Sequence, residues 1–333
     1  MPTRPTLIAL ARRLGVSKAS VSKALSPYPD RCDLAPATAE RIRAGARAAG
    51  YAPEPRRAAR ARTASRNIGL VCQRAAPFSD GVYAGLLDGL GEALAMAGRR
   101  LVFAPAMDPA EWTRLLIDQR LDGAVLMELA DEALAHAVAR GGFPAVLINQ
   151  RTTAPMLQVM PDEEHAADIA LSLLADLGHR RVAFLRSPGR RAHPSVIERQ
   201  DAFRRQCLIH HLTGTIALRE PAPFLAAWLM AAPADRPTAV VCYNQSDAIE
   251  LVAQAFSAGL VIPTQLSVVS LDDGPLLPWL RPAITAVTVP MREMAVTALT
   301  RLLAMIAGEQ RPTADVLRQP GALARRATHG PPP

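Results

Sequence analysis

The chain is 333 residues long, half of them apolar, with a formal net charge of +8. That length allows two or three domains with a sizeable core. The charge is uneven: residues 1–66 hold 14 Lys and Arg against 4 Asp and Glu, a net +10, while residues 67–333 hold 24 against 26, a net −2. A small basic head on a near-neutral body points to a polyanion, and the absence of a large aromatic or leucine face favours nucleic acid over a membrane surface. The N-terminus MPTRPT has no apolar signal core, and no run approaches the roughly 20 apolar residues of a membrane span. A cytoplasmic chain with no membrane partner is expected. Cys32, Cys72, Cys207 and Cys242 are scattered, without CxxC pairing. They read as reduced structural thiols, and neither metal nor cofactor is expected.

In chain order, Leu7, Leu10, Ala11 and Leu14 recur at helical spacing. Gly15 supplies a left-handed turn, and Ser17 is a natural N-cap for a second helix carrying Ser20, Val21 and Ala24. Helix, short Gly-containing turn and helix make the helix-turn-helix pattern. The second helix would enter the DNA major groove and present Lys18, Ala19, Ser22 and Lys23. Lys18 and Lys23 are the only lysines among 38 basic residues. The proline-rich loop SPYPDRCDLAP (26–36) leads to a third helix, Thr38 to Ala49, closed by Gly50. Residues 54–66 carry Arg56, Arg57, Arg60, Arg62 and Arg66 and no large apolar side chain, which reads as a linker that either stays solvated or orders on a polyanion.

From Asn67 the pattern changes to apolar strands alternating with amphipathic helices. Strands are predicted at 68–72, 100–104, 123–127, 145–149, 181–185, 239–243, 267–271 and 284–290, with helices from about Asp80, Pro109, Ala130, Glu163, Val196, residue 222, Ser246 and Met291. Continuous apolar strands joined by helices mean parallel sheets covered on both faces. The expected architecture is an all-α DNA-binding head plus an α/β effector domain of two doubly wound lobes. Ligands of such sheets sit at the carboxyl ends of the strands, so the pocket is expected between the lobes. The expected domains are 1–53, the arginine-rich hinge 54–66, and 67–333, with one lobe at about 67–158 plus 290–318 and the other at about 159–289 plus the tail.

Several stretches together resemble the lactose-repressor (LacI/GalR) family of bacterial transcription factors over nearly the whole chain. They are LARRLGVSKASVSKAL, TAERIRAGARAAGYAP, DQRLDGAVL, DLGHRRVAFL, ERQDAF, PTAVVCYN, AGLVIPTQLSVVSLDD and TAVTVPMREMA. The resemblance implies a periplasmic-binding-protein-like fold and a homodimer on a pseudo-palindromic duplex, with a sugar-like or related small-molecule effector between the lobes. It assigns base reading to Lys18, Ala19, Ser22 and Lys23. Lysine can donate to guanine O6 and N7, and Ala19 offers only apolar contact. Thr6, Ser17 and Ser20 are expected on phosphates, with Arg57 and Arg60 as further DNA contacts. Where the family inserts a leucine wedge into the minor groove, this chain has Arg60, which implies binding with less bending. The matching cleft positions are Asp80, Tyr83, Arg199, Asn244 and Asp272. Tyr83 offers a stacking face, Arg199 a donor fork, and Asn244 and Asp272 paired hydroxyl partners. Each has a plainer reading: Tyr83 as core, Arg199 as a salt-bridge partner, and the neighbouring Asp273 as a turn residue or helix cap.

The segment QRAAPFSDGVY lacks the family's Asn-Pro-Phe-Phe, and Asn244 is followed by Gln245 rather than Asp. These departures leave open an orphan regulator with no small-molecule effector. A two-lobed solute-binding protein is disfavoured by the basic head and the missing signal peptide. An enzyme is disfavoured because there is no GxSxG, no GxxxxGK and no strand-borne GxGxxG, and His210 and His211 have no ligand-like neighbours in sequence.

Overall fold

The computed structural model describes residues 6–25, 34–49, 65–72, 83–105, 120–130, 132–188, 193–218, 220–311 and 313–333. The chain divides into two compact units, Met1–Ala64 and Ser65–Pro333.

In the first unit, α1 (Leu7–Leu14), α2 (Lys18–Ala24) and α3 (Pro36–Ala48) enclose a small core of Leu10, Ala11, Val21, Ala24, Ala39, Ile42 and Ala46. Local chemistry sets each boundary. Thr6 Oγ1 accepts from the Ala9 amide at 3.2 Å and Ser17 Oγ from the Ser20 amide at 3.0 Å, so each cap satisfies a donor the first turn leaves open. Between the helices Gly15 takes φ 64° and ψ 32°, a left-handed conformation that glycine adopts without a Cβ penalty. Pro36, in the first turn of α3, starts the third helix two residues before the expected Thr38. Arg43 Nε on α3 donates to the Ala24 carbonyl at 3.1 Å, closing the C-terminus of α2.

The second unit holds two six-stranded sheets. Its elements in chain order begin with β1 (Asn67–Cys72), α4 (Ala84–Met96), β2 (Arg100–Pro105), β3 (Leu121–Met127), α5 (Ala133–Arg140), β4 (Ala145–Ile148) and β5 (Leu157–Pro161). There follow α6 (Glu163–Asp176), β6 (Arg181–Arg186), α7 (Pro194–Ile209), β7 (Thr213–Leu218), α8 (Pro221–Met230), β8 (Ala239–Cys242) and α9 (Gln245–Ser257). The last elements are β9 (Ser267–Ser270), a 3-10 turn (Leu277–Trp279), β10 (Thr285–Val287), α10 (Met291–Ala307), β11 (Val316–Gln319) and β12 (Leu323–Ala324).

The first sheet runs β11-β5-β4-β3-β1-β2 and the second β12-β10-β9-β8-β6-β7. Every pairing is parallel except β10 with β12. Strands β4, β8 and β9 are buried throughout, as the continuous apolar runs require of strands covered on both faces. Each sheet has its own core on either face. In the first lobe α10 lies on α4 so closely that a Cβ on Gly89 would fall 2.6 Å from the Arg292 carbonyl oxygen.

Three differences from the expected elements have physical causes. The first lobe keeps the chain through Pro161, past the expected 158, because β5 fills the place between β4 and β11. The strand expected at 284–290 is only Thr285–Val287, since the chain crosses to α10 from there. The tail is structured, although its Pro and Arg content shows no strand pattern. Thr328 Oγ1 accepts from the Thr285 amide at 2.9 Å and donates to the Val268 carbonyl at 2.7 Å. The buried His179 ring lies 2.9 Å from the Gly330 carbonyl through Nε2 and 2.8 Å from Thr238 Oγ1 through Nδ1. The helix expected from Pro109 lies almost wholly outside the described residues, as does Cys32. Cys72, Cys207 and Cys242 are buried, and burial pushes the Cys207 pKa up to about 12.

Candidate DNA-reading helix and ligand cleft

In the first unit, α2 buries Val21 and Ala24 and leaves Lys18, Ala19, Ser22 and Lys23 exposed. The helical period itself separates these faces, so the packing that holds α2 also fixes which side chains point outward. Thr6, Ser17 and Ser20 stand at the starts of the two helices. Their hydroxyls are engaged locally: Thr6 and Ser17 as caps, and Ser20 Oγ 2.9 Å from Ser17 Oγ. A hydroxyl that accepts in a cap retains a proton it can donate outward to a phosphate oxygen. Arg57 and Arg60 lie outside the described residues.

In the second unit the candidate cleft is the place such sheets offer a ligand, at the carboxyl ends of the strands where the strand order of each sheet reverses beside β1 and β6. The chain leaves β3 through Glu128 at φ 47° and β4 through Asn149 at φ 54°, two left-handed turns on non-glycine residues. Tyr83 is buried in the first lobe's core and donates its hydroxyl to Glu128 Oε1 at 2.6 Å. It therefore combines the plainer core role with a polar end facing the cleft. Asn149 Nδ2 donates to the same hydroxyl at 3.4 Å. Asp80 lies outside the described residues.

From the second lobe, Arg199 on α7 is buried rather than a surface partner. Its Nε donates to Glu163 Oε2 at 2.7 Å and its Nη1 to the Tyr243 carbonyl at 2.7 Å. Its guanidinium lies 5.1 Å from the centre of the Tyr243 ring. Burial works against this charge, but the Glu163 carboxylate, with Tyr243 and Asp272, outweighs it and holds the pKa above the usual arginine value. The donor fork expected to face a ligand is thus largely turned onto the protein. Asn244 is committed too: its Oδ1 accepts from the Asp247 amide at 3.0 Å and N-caps α9. Asp247 in turn accepts from Ser187 Oγ at 2.6 Å, joining the end of β6 to α9. Asp272 is buried just past β9, and its backbone exchanges hydrogen bonds with Ser270 Oγ. Asp273 forms a two-point ion pair with Arg326 at 2.7 and 2.9 Å.

Tyr83, Arg199 and Asp272 therefore belong to one polar constellation, together with residues that the sequence reading did not single out: Glu128, Asn149, Glu163, His193, Ser195 and Tyr243. The strand-end rule would have reached Glu128, Asn149 and Tyr243, each directly after an apolar strand. Nothing in the local sequence marks Glu163 or His193. His210, without a ligand-like neighbour in sequence, has one in space: its Nε2 lies 2.8 Å from Asp168 Oδ1 on α6. That is a single pair, and among the described residues no group of three or more His, Cys, Asp and Glu could hold a metal ion. No helix among them is long and apolar enough to cross a membrane.

Residues 171–329 match the family model described as a periplasmic binding protein-like domain. Among curated proteins, the HTH-type transcriptional regulator reg1 of Streptomyces lividans is 27% identical across 98% of this chain and 97% of its own length. MalR of Streptomyces coelicolor is likewise 27% identical, with the same coverage of both chains. Among solved structures, a CelR–cellobiose complex aligns with a TM-score of 0.66 at 24% identity, covering 98% of this chain and all of that one. The Lac repressor bound to ONPG aligns with a TM-score of 0.65 at 20% identity, covering 99% of this chain and all of that one. A helix-turn-helix unit followed by a two-lobed unit of this kind is the build of an HTH-type transcriptional regulator. The chain is thus similar over nearly its whole length to HTH-type transcriptional regulators, and its fold matches that of LacI-family structures.

Proposed function

We propose that the chain binds a pseudo-palindromic operator as a homodimer, reading base edges with Lys18, Ala19, Ser22 and Lys23, and that a small carbohydrate-like effector in the cleft alters that binding. The observation that carries the DNA half is α2 itself. It is capped at Ser17, packed by Val21 and Ala24, and exposes those four side chains together. Thr6, Ser17 and Ser20 act on phosphates, and Arg57 and Arg60 add charge to the duplex contact. The effector half is supported by the constellation of Tyr83, Arg199 and Asp272, with Asn244 at its edge; Asp80 is assigned to it from the sequence alone. It is also supported by the likeness to proteins whose solved complexes hold cellobiose and ONPG. On this reading the lobes have no catalytic role, and the protein works in the cytoplasm.

The test is selection of random duplex DNA at near-physiological salt, with Lys18→Ala and Lys23→Ala alongside. An inverted-repeat motif is expected, with each variant relaxing preference at particular base pairs by roughly 1–3 kcal/mol. Salt-steep binding without an enriched motif would reduce the head to an electrostatic tether.

A second reading, regulation without a small-molecule effector, draws on one observation: Arg199 and Asn244 already hydrogen-bond to the protein. A thermal-shift screen of mono- and disaccharides separates the two. A saturable rise in Tm supports the effector, and a flat screen supports the orphan.

A further inference from the structure

Among the described residues, one histidine makes a hydrogen bond from the start of α7 in the second lobe to the end of β4 in the first. His193 Nε2 lies 2.8 Å from the carbonyl oxygen of Asn149, the residue by which the chain leaves β4 in the first lobe. The same ring stands directly before α7 in the second lobe and caps it. The Ser195 amide donates to Nδ1 at 3.2 Å, and Ser195 Oγ lies 2.7 Å from that nitrogen. The Tyr243 hydroxyl is 2.8 Å from Ser195 Oγ. Chemistry sets the directions. A carbonyl only accepts, so Nε2 carries the proton; a backbone amide only donates, so Nδ1 is bare. Ser195 Oγ then donates to Nδ1 and accepts from Tyr243, leaving one tautomer of a neutral ring.

We propose that His193 is a positioning residue for the cleft: its neutral, Nε2-protonated ring ties the end of β4 to the start of α7 and sets the spacing of the two lobes. The helix it caps carries the other cleft-spanning contacts. Glu198 on that helix accepts from Arg151 Nε of the first lobe at 2.8 Å and meets Arg318 at 3.7 Å, while Arg199 beside it bonds within the second lobe. A proton added at Nδ1 would remove the acceptor of both the Ser195 amide and its hydroxyl, releasing the cap.

The charged groups facing the ring come from every element around it. Glu128 beyond β3 and Glu163 opening α6 favour the proton, and Arg199 on α7 opposes it. Burial is the largest influence and holds the ring below the ordinary histidine range. A base depressed in this way stabilises the native state fully above the ordinary histidine pKa. That contribution is lost as pH falls through the window beneath it.

The test measures the lobe spacing in the full chain, with Cys32→Ser and spin labels on cysteines placed at the exposed Met96 and Met230, labelled protomers being diluted with unlabelled ones. His193→Asn keeps a short acceptor for the helix cap but does not reach Asn149. It is expected to broaden the distance distribution above the histidine range, as acidification does in the parent chain. Nitrogen-15 spectra of the unmodified chain are expected to show His193 as the Nε2–H tautomer, titrating below the ordinary histidine range. An unchanged distance distribution in a folded His193→Asn chain, or an Nδ1–H tautomer in the parent, overturns the proposal. Neither readout involves operator or effector, so failure of the DNA selection or the sugar screen leaves this result standing.

Discussion

The three-helix unit and the ligand cleft both depend on polar side chains that close helix ends, yet they draw their partners from different distances along the chain. In the first unit the caps Thr6 with Ala9 and Ser17 with Ser20 each span three residues. In the cleft, Arg199 reaches Glu163 across 36 residues and Tyr243 across 44, and His193 reaches Asn149 across 44. The solvent relation is reversed as well. The three-helix unit buries a small apolar core and leaves Lys18, Ala19, Ser22 and Lys23 exposed to water. The cleft takes charges out of water and holds them with one another. Local closure gives a compact surface whose function lies in what it leaves exposed, whereas the cleft's polar groups are mutually dependent, because each is satisfied by a neighbour from another element.

Substitutions that separate the two regimes are ranked by that dependence. Arg199→Ala leaves Glu163 buried without its ion-pair partner, an expected loss of about 3–5 kcal/mol in the second unit's unfolding, read by denaturant titration. Removing both charges with Arg199→Leu and Glu163→Leu is expected to cost much less, and equal losses for the single and double changes would deny the pair its role. Gly89→Ala comes next. Its new Cβ meets a backbone oxygen rather than a movable side-chain end, so about 1–3 kcal/mol of overpacking is expected where α4 crosses α10. Ser17→Ala is the smallest, at about 0.5–2 kcal/mol. Its effect should stay within the first unit, as faster hydrogen exchange in α2 with the second unit's melting unchanged. Spread of that loss into the two lobes would erase the distinction between local and long-range closure.

Much of the first unit is legible from residues 6–25 alone, since Leu10, Ala11 and Val21 reveal the buried face and thereby the exposed one. The lobes are legible as strands and helices wherever a strand is fully covered, as in AVLI at 145–148 and AVVC at 239–242. The pattern fades where a strand lies at an edge. β7 is exposed at four of its six positions, and β11 and β12 are short pieces inside a tail rich in Pro and Arg. In the cleft, Arg199 and Asp272 could be singled out as candidate ligand groups, but what they bind within the protein could not be read. The orientation of Arg199 depends on Glu163 and Tyr243, and neither stands at a helical or strand spacing from it.

By itself the sequence determined the helix-turn-helix with its caps and left-handed Gly15, the outward face of α2, the separation of a basic head from a near-neutral body, and the alternation that demands two parallel sheets. These follow from periodicity and from partners a few residues apart, which a linear reading can count. Only the tertiary structure decided that Asn244 caps α9, that Arg199 is buried on Glu163, that Thr328 and Gly330 are built into the second lobe, and that His193 spans the cleft. Each of these depends on a contact between segments tens of residues apart or more. Its free energy comes from burial and from satisfied polar groups, and those exist only once the sheets have brought the segments together.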